Sequence, residues 1–251
     1  MRHAHLVAIP TLAAAASLAH ADLLVEPEAL EAGYEYMLLR QPGDPISGSR
    51  EHVGFEPRWG SASGGHFSGG GTSSRHGAGG FEYSFFKTID GEQNTISGTG
   101  YAIADVWLAN DEGELTSASG ASHTMMRWDV IEPVTLTLSG FVSISDVVME
   151  GEGIGSAQAG LRFQGRGLDE VARLDRFADD VASFDWTLSL SPGTYTLEAW
   201  AYSLALSQGL NAQIAAEPEY SFRGEFFPIP SPGAPVVLAL LCSRAARRST
   251  R

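Results

Sequence analysis

The chain has 251 residues, with 16 Lys plus Arg against 30 Asp plus Glu, a net charge of −14, seven His and one Cys. That length accommodates one domain with a real hydrophobic core, while the acidic excess and a single lysine, Lys87, exclude a nucleic-acid binder, which needs clustered cations to meet phosphate. One cysteine excludes a disulfide framework and any multi-cysteine zinc or iron–sulfur site.

Residues 1–21 divide into a short basic start at Arg2, an apolar run from Leu6 to Leu18 and the tripeptide Ala19-His20-Ala21 before Asp22. This is the order of parts in a secretory signal peptide, with Ala19 and Ala21 as the small residues read at the cleavage site and the cut after Ala21. Residues 22–80 are expected to be irregular. Tyr34 to Leu39 reads as an early strand, but Gly60 to Gly80 is dominated by Gly and Ser, including Gly69-Gly70-Gly71. Such a stretch buries too little apolar surface to offset its ordering entropy, so a mobile loop is predicted.

From Phe81 to Phe227 the pattern has period two. Val134, Leu136, Leu138, Val142 and Ile144 share one face, with mainly Thr and Ser on the other, which predicts a strand half in a core. Phe184 to Ser191 repeats the arrangement, and Ser191-Pro192-Gly193 then leads into Thr194 to Tyr202, a hairpin signal because proline presets one dihedral and glycine accepts a positive one. Phe81 to Ile89, Thr95 to Leu108, Leu115 to Val130 with a break near Gly120, Ile154 to Phe163 and Ala212 to Phe227 read as further strands, with turns at Asp90-Gly91 and Asn110 to Gly113. Leu168, Val171, Leu174, Ala178 and Val181 recur at three- and four-residue steps, with Asp169 and Arg173 as an i, i+4 pair, which reads as one short charged helix or else an irregular loop. Strands joined by short turns without alternating helices predict an all-β fold, an antiparallel β-sandwich or jelly roll.

The same stretch offers little chemistry. His66 and His76 lie among serines in the Gly/Ser loop, yet no nucleophile elbow or His-Glu-x-x-His pattern accompanies them, so no catalytic residue is assigned. His123, beside Ser122 and Thr124, likewise reads as an edge or outward residue, and His52 completes the four histidines of residues 22–227. Asp111, Glu112 and Glu114, and again Glu150 and Glu152, place carboxylates on bends where calcium would find oxygen ligands, although neither run matches an EF-hand and solvated turns are the simpler reading. Trp128, Trp186 and Trp200 are candidates for a sugar-stacking face or for core packing.

The C-terminus begins with a proline-spaced linker, Phe227 to Gly233, which is held extended. An apolar run from Ala234 to Cys242 follows, and then Arg244, Arg247, Arg248 and Arg251, which the positive-inside rule keeps cytoplasmic. This tail resembles the PEP-CTERM sorting signal of exported bacterial proteins, and Pro230-Ser231-Pro232-Gly233 is similar to its planctomycete-like variant. Ser231 stands where the family's usual motif has Glu, and the apolar run is shorter than the roughly 20 residues that span a bilayer. The resemblance implies recognition by an exosortase-like membrane protease, delivery to the cell surface or extracellular matrix, and a transient or retained membrane anchor. Met126 to Gly140 and Leu190 to Leu197 also resemble the β-sandwich bodies that precede such tails.

Four segments are therefore expected: a signal peptide (1–21), an irregular N-terminal region (22–80), a β-sandwich (81–227) and a sorting tail (228–251). Residues 22–227 keep all 30 acids but lose Arg2 and the four tail arginines from the 16 basic residues, so that body carries −19. The expected function is a structural or adhesive exported protein without catalytic activity, whose partners are the export machinery, the sorting protease and a polysaccharide or matrix. The alternatives are a secreted carbohydrate-binding module, with calcium as an optional ligand, and a sandwich glycoside hydrolase.

Overall fold

The computed structural model describes residues 25–40, 45–46, 50–55, 60–63, 75–87, 94–107, 115–175, 179–208 and 213–229. These form thirteen strands and no helix: β1 (Val25–Arg40), β2 (Pro45–Ile46), β3 (Arg50–Phe55), β4 (Gly60–Ser63), β5 (Arg75–Lys87), β6 (Asn94–Trp107), β7 (Leu115–Val130), β8 (Val134–Glu150), β9 (Gly153–Gly165), β10 (Leu168–Leu174), β11 (Asp180–Leu190), β12 (Gly193–Gln208) and β13 (Gln213–Pro228). The first sheet runs β10-β9-β12-β7-β1, with β2 and β3 sharing the far side of β1, and the second runs β11-β8-β13-β6-β5-β4. Every pairing is antiparallel. The two sheets pack face to face, so the protein is a β-sandwich, as the period-two pattern predicts.

The alternation does the sorting. In β8, Val134, Leu136, Leu138, Val142 and Ile144 are all buried, and in β13 alternate residues from Ile214 to Phe226 face inward. At one end of the interior Trp128 meets Phe226 edge-on at 5.5 Å and Phe163 at 5.9 Å, and Phe163 stacks on Tyr195 at 5.8 Å. At the other end the buried residues are Ala104, Val106, Ala118, Ala205 and Ile214. Between them Tyr220 reaches from the second sheet to share its hydroxyl with Thr124 Oγ1 at 2.6 Å and Ser122 Oγ at 3.3 Å in the first, while Ser122 Oγ donates to the Gly80 carbonyl at 2.7 Å. Burial pushes the Tyr220 phenol up to about 12, with the two hydroxyl contacts acting the other way.

Four sequence expectations are revised. Residues 168–174 and 180–181 are strand and not helix: β9 and β10 form a hairpin whose two turn residues, Arg166 (φ 40°) and Gly167 (φ 83°), both have positive φ, the geometry of a primed turn. Leu168, Ala172 and Leu174 then pack on the core by period two, whereas Val171 and Val181, which a helix would have buried beside them, are 49% and 62% exposed. Asp169 pairs with Arg162 on β9 and Arg173 with Asp175, in place of the i, i+4 pair. Strand β7 is unbroken at Gly120, which is paired to Tyr36 on one side and Ser203 on the other. Two continuous ladders outweigh the weak strand preference of one glycine.

Pro192-Gly193 is not a hairpin turn either. It carries the chain from β11 in the second sheet to β12 in the first, and the Tyr195 hydroxyl donates to the Ser191 carbonyl at 2.8 Å, a tyrosine corner of the kind found in sandwiches. From β6 onward every connection except β9–β10 crosses between sheets. The fourth revision concerns the N-terminal stretch: β1 pairs with β7 from Val25 to Arg40, and Gly60–Ser63 and Arg75–Gly80 belong to strands of the second sheet. The sandwich therefore takes in residues on the N-terminal side of Phe81.

Candidate functional site

The outward side of the first sheet is built from the positions that alternate with the core. On β12 these include Thr196, Glu198, Trp200, Tyr202 and Leu204; on β7, Ala121, His123, Met125 and Arg127; on β9, Gln158 and Arg162; on β10, Asp169. Register then sets them side by side. Trp200 is opposite His123 on one flank and Gly160 on the other, and Glu198 is opposite Met125 and Arg162.

One hydrogen bond and one ion pair join the polar groups across the strands. His123 Nε2 lies 3.0 Å from Glu198 Oε1, each side chain being 44% exposed. Arg162 donates from Nε and a terminal nitrogen to the two carboxylate oxygens of Asp169, both at 2.8 Å, the bidentate geometry that a guanidinium favours. The hydrogen bond to His123 holds the Glu198 carboxyl below the usual carboxylate range, against a smaller opposing effect of partial burial, and Arg162 adds to the lowering. The Asp169 carboxyl is lowered in turn by its hydrogen bonds with Arg162.

The outward side of the second sheet has the opposite electrostatics. Glu217 sits where β13 shifts register against β8, between Ala215 and Glu217, and its carboxyl is pushed up by burial first, then by Asp146, Glu219 and Asp105. Ser143 Oγ donates to Glu219 Oε1 at 2.7 Å. The set is an acidic patch; among the described residues no group of three or more His, Cys, Asp or Glu is placed to hold a metal ion.

The three candidate tryptophans are not brought together. Trp128 is fully buried, Trp186 is partly buried against Phe184 with ring centres 4.7 Å apart, and Trp200 alone faces outward from the first sheet. His123, read as an edge or outward residue, does face outward and has Glu198 as its partner. Glu150 and Glu152 flank Gly151 (φ 80°) on an exposed turn. Ala19, Ala21, His66, Asp111, Glu112, Glu114, Pro230, Ser231, Pro232, Gly233, Arg244, Arg247 and Arg248 lie outside the described residues, as do the side chains of His52 and His76.

The sequence reading missed Glu198, Arg162 and Tyr202 as partners of Trp200 and His123. One signal was available: Glu198-Ala199-Trp200-Ala201-Tyr202-Ser203 alternates large with small residues, so that the small ones fit the interior and the rings face out.

No protein-family model matches the chain, and no curated protein matches it in sequence. Among solved structures, one described as "Structure of infectious bursal disease virus Gx strain" is similar at 9% identity over 88% of this chain and 74% of that one, with a TM-score of 0.21.

Proposed function

We propose that this chain is an exported, non-enzymatic structural or adhesive protein of the cell surface or extracellular matrix, sorted through its C-terminal tail by an exosortase-like membrane protease. The observation that carries this reading is the order of parts at the two ends of the sequence, a basic start, apolar run and Ala19-His20-Ala21 at one and Pro230-Ser231-Pro232-Gly233, an apolar run and arginines at the other. β1 starts at Val25, just past Ala21, and β13 ends at Pro228, just before the Pro230-Ser231-Pro232-Gly233 motif.

The two exits also lie at the same end of the sandwich. Val25 is opposite Val130 and Pro228 is opposite Val134, so both flank the short β7–β8 connection, where the Ile229 amide donates to the Pro133 carbonyl at 3.3 Å. A tail held in a membrane would stand the sandwich on this end, with the alanine-rich end pointing outward. The lone cysteine, Cys242, falls in the tail, so the exported body folds without disulfides and relies on its core.

Cell fractionation with intact-mass measurement tests the reading. The expected product begins at Asp22 and lacks the terminal arginines, and replacing Pro230 and Pro232 leaves the protein in the membrane fraction. Recovery of the full chain as a soluble cytosolic protein, or release of the proline variant as in wild type, overturns it.

A further inference from the structure

We infer that the outward face of the first sheet is a binding platform for a neutral pyranose polysaccharide, centred on Trp200 and Tyr202. The two rings follow one another on the outer side of β12, about 7 Å apart along the strand by the rise of two residues. In most half-buried strands the bulky residues point inward. In this part of β12 the inward positions are Ala199, Ala201 and Ser203, and the rings are outside.

The neighbouring strand is shaped to receive them. A Cβ at Gly160 would fall 2.1 Å from Cζ2 and 2.5 Å from Cε2 of Trp200, so the absence of a side chain there lets the indole settle against β9. Trp200 is thereby half-buried and held, and Tyr202, one step along, is 37% exposed. Beside these rings, His123 with Glu198 and Arg162 with Asp169 form two locked polar pairs. An aromatic face meets the C–H side of a sugar ring, and fixed carboxylates, imidazole and amide groups meet its hydroxyls; a few oriented polar groups around an apolar surface set specificity in this way.

Charge selects among occupants. Arg162 is engaged by Asp169, and the body's acidic excess repels anionic polymers, which favours a neutral ligand. Gln158, Thr196, Glu198 and His123 lie beside the rings and offer hydrogen-bonding groups to sugar hydroxyls, with Ala121, Met125 and Leu204 as apolar neighbours on the same face. The platform goes beyond the export reading and does not depend on whether the tail is cleaved.

The test is retention of the full chain on insoluble cellulose, chitin and mannan, with immobilised heparin as the anionic comparison. Wild type is expected to bind at least one neutral glycan and not heparin; Trp200→Ala should weaken that binding by about tenfold or more, and Tyr202→Ala by a smaller factor, with thermal unfolding unchanged. If Trp200→Ala does not fold, Tyr202→Ala and Glu198→Gln decide by the same comparison. Failure of wild type to bind all three neutral glycans, wild-type retention by the folded variants, or a dimer in sedimentation that Trp200→Ala disperses would each overturn the inference. Protein sorting plays no part in the measurement, so a negative result leaves the export reading standing.

Discussion

The two ends of the interior solve the same burial problem differently. Around Trp128, Phe163, Tyr195 and Phe226 the space between the sheets is filled by rings from both sides. Around Ala104, Ala118 and Ala205, with Val106 and Ile214, the side chains are smaller, and hydroxyls reach across: Ser203 Oγ donates to the Ala216 carbonyl at 2.9 Å, and the Tyr220 group marks the border between the two regions. Large rings stabilise through area removed from water, whereas the small-residue end depends on close fit and on hydroxyl hydrogen bonds such as that of Ser203. Mutational sensitivity should therefore change character along the length of the sandwich.

Trp128→Ala tests the aromatic end and should have the largest effect. Loss of a fully buried indole wedged between Phe163 and Phe226 should reduce stability by about 3–5 kcal/mol in urea unfolding. At the alanine end the damaging change runs in the other direction: Ala205→Leu should lower stability by about 1–3 kcal/mol through overpacking, and a neutral outcome would show that this end is loosely filled. Tyr220→Phe, at the border, should lower stability by about 1–2 kcal/mol, because Thr124 and Ser122 lose a buried partner while the ring keeps its place.

The smallest effects belong to the two outer faces, where matched and mismatched neighbours are distinguished by charge. The folded-state carboxyl of Glu217 is raised, so the fold favours its protonated form: its contribution is fully present below the ordinary glutamate range and is lost as pH rises through the raised value. Glu217→Gln should therefore unfold at slightly higher urea than wild type at neutral pH, with the difference shrinking on acidification. The carboxyl of Glu198 is lowered, so its contribution is present above the ordinary glutamate range and is lost as pH falls through the lowered value. Glu198→Gln should be slightly less stable than wild type at neutral pH. Equal pH dependence of the two variants would break the contrast between the faces.

Much of the fold was legible because alternation is a local signal. The inward residues of β8 could be named from spacing alone, and β6, β9 and β13 occupy nearly the spans that their apolar period marks. Where the reading failed, two periods competed in the same residues. Leu168, Val171 and Leu174 fit a helical stripe, and the decision fell to a two-residue turn with positive φ at Arg166 and Gly167, which brings β10 back onto β9. Pro192-Gly193 marked a turn correctly but could not say whether the chain returns to its own sheet or crosses to the other.

The candidate site was legible only in its parts. His123 and Trp200 were noticed separately, 77 positions apart, and their adjacency comes from the β7–β12 register. Arg162 and Asp169 face each other because a hairpin folds between them.

Composition and period, which are properties of neighbouring residues, determined by themselves that this chain is acidic and rich in strands. Tertiary structure alone decided which strands share a sheet, which end of the core is aromatic and which polar groups meet on the outer faces. Those outcomes depend on register between segments far apart in the chain, and a one-residue slip would turn Trp200 inward and Ala199 outward without changing the sequence at all.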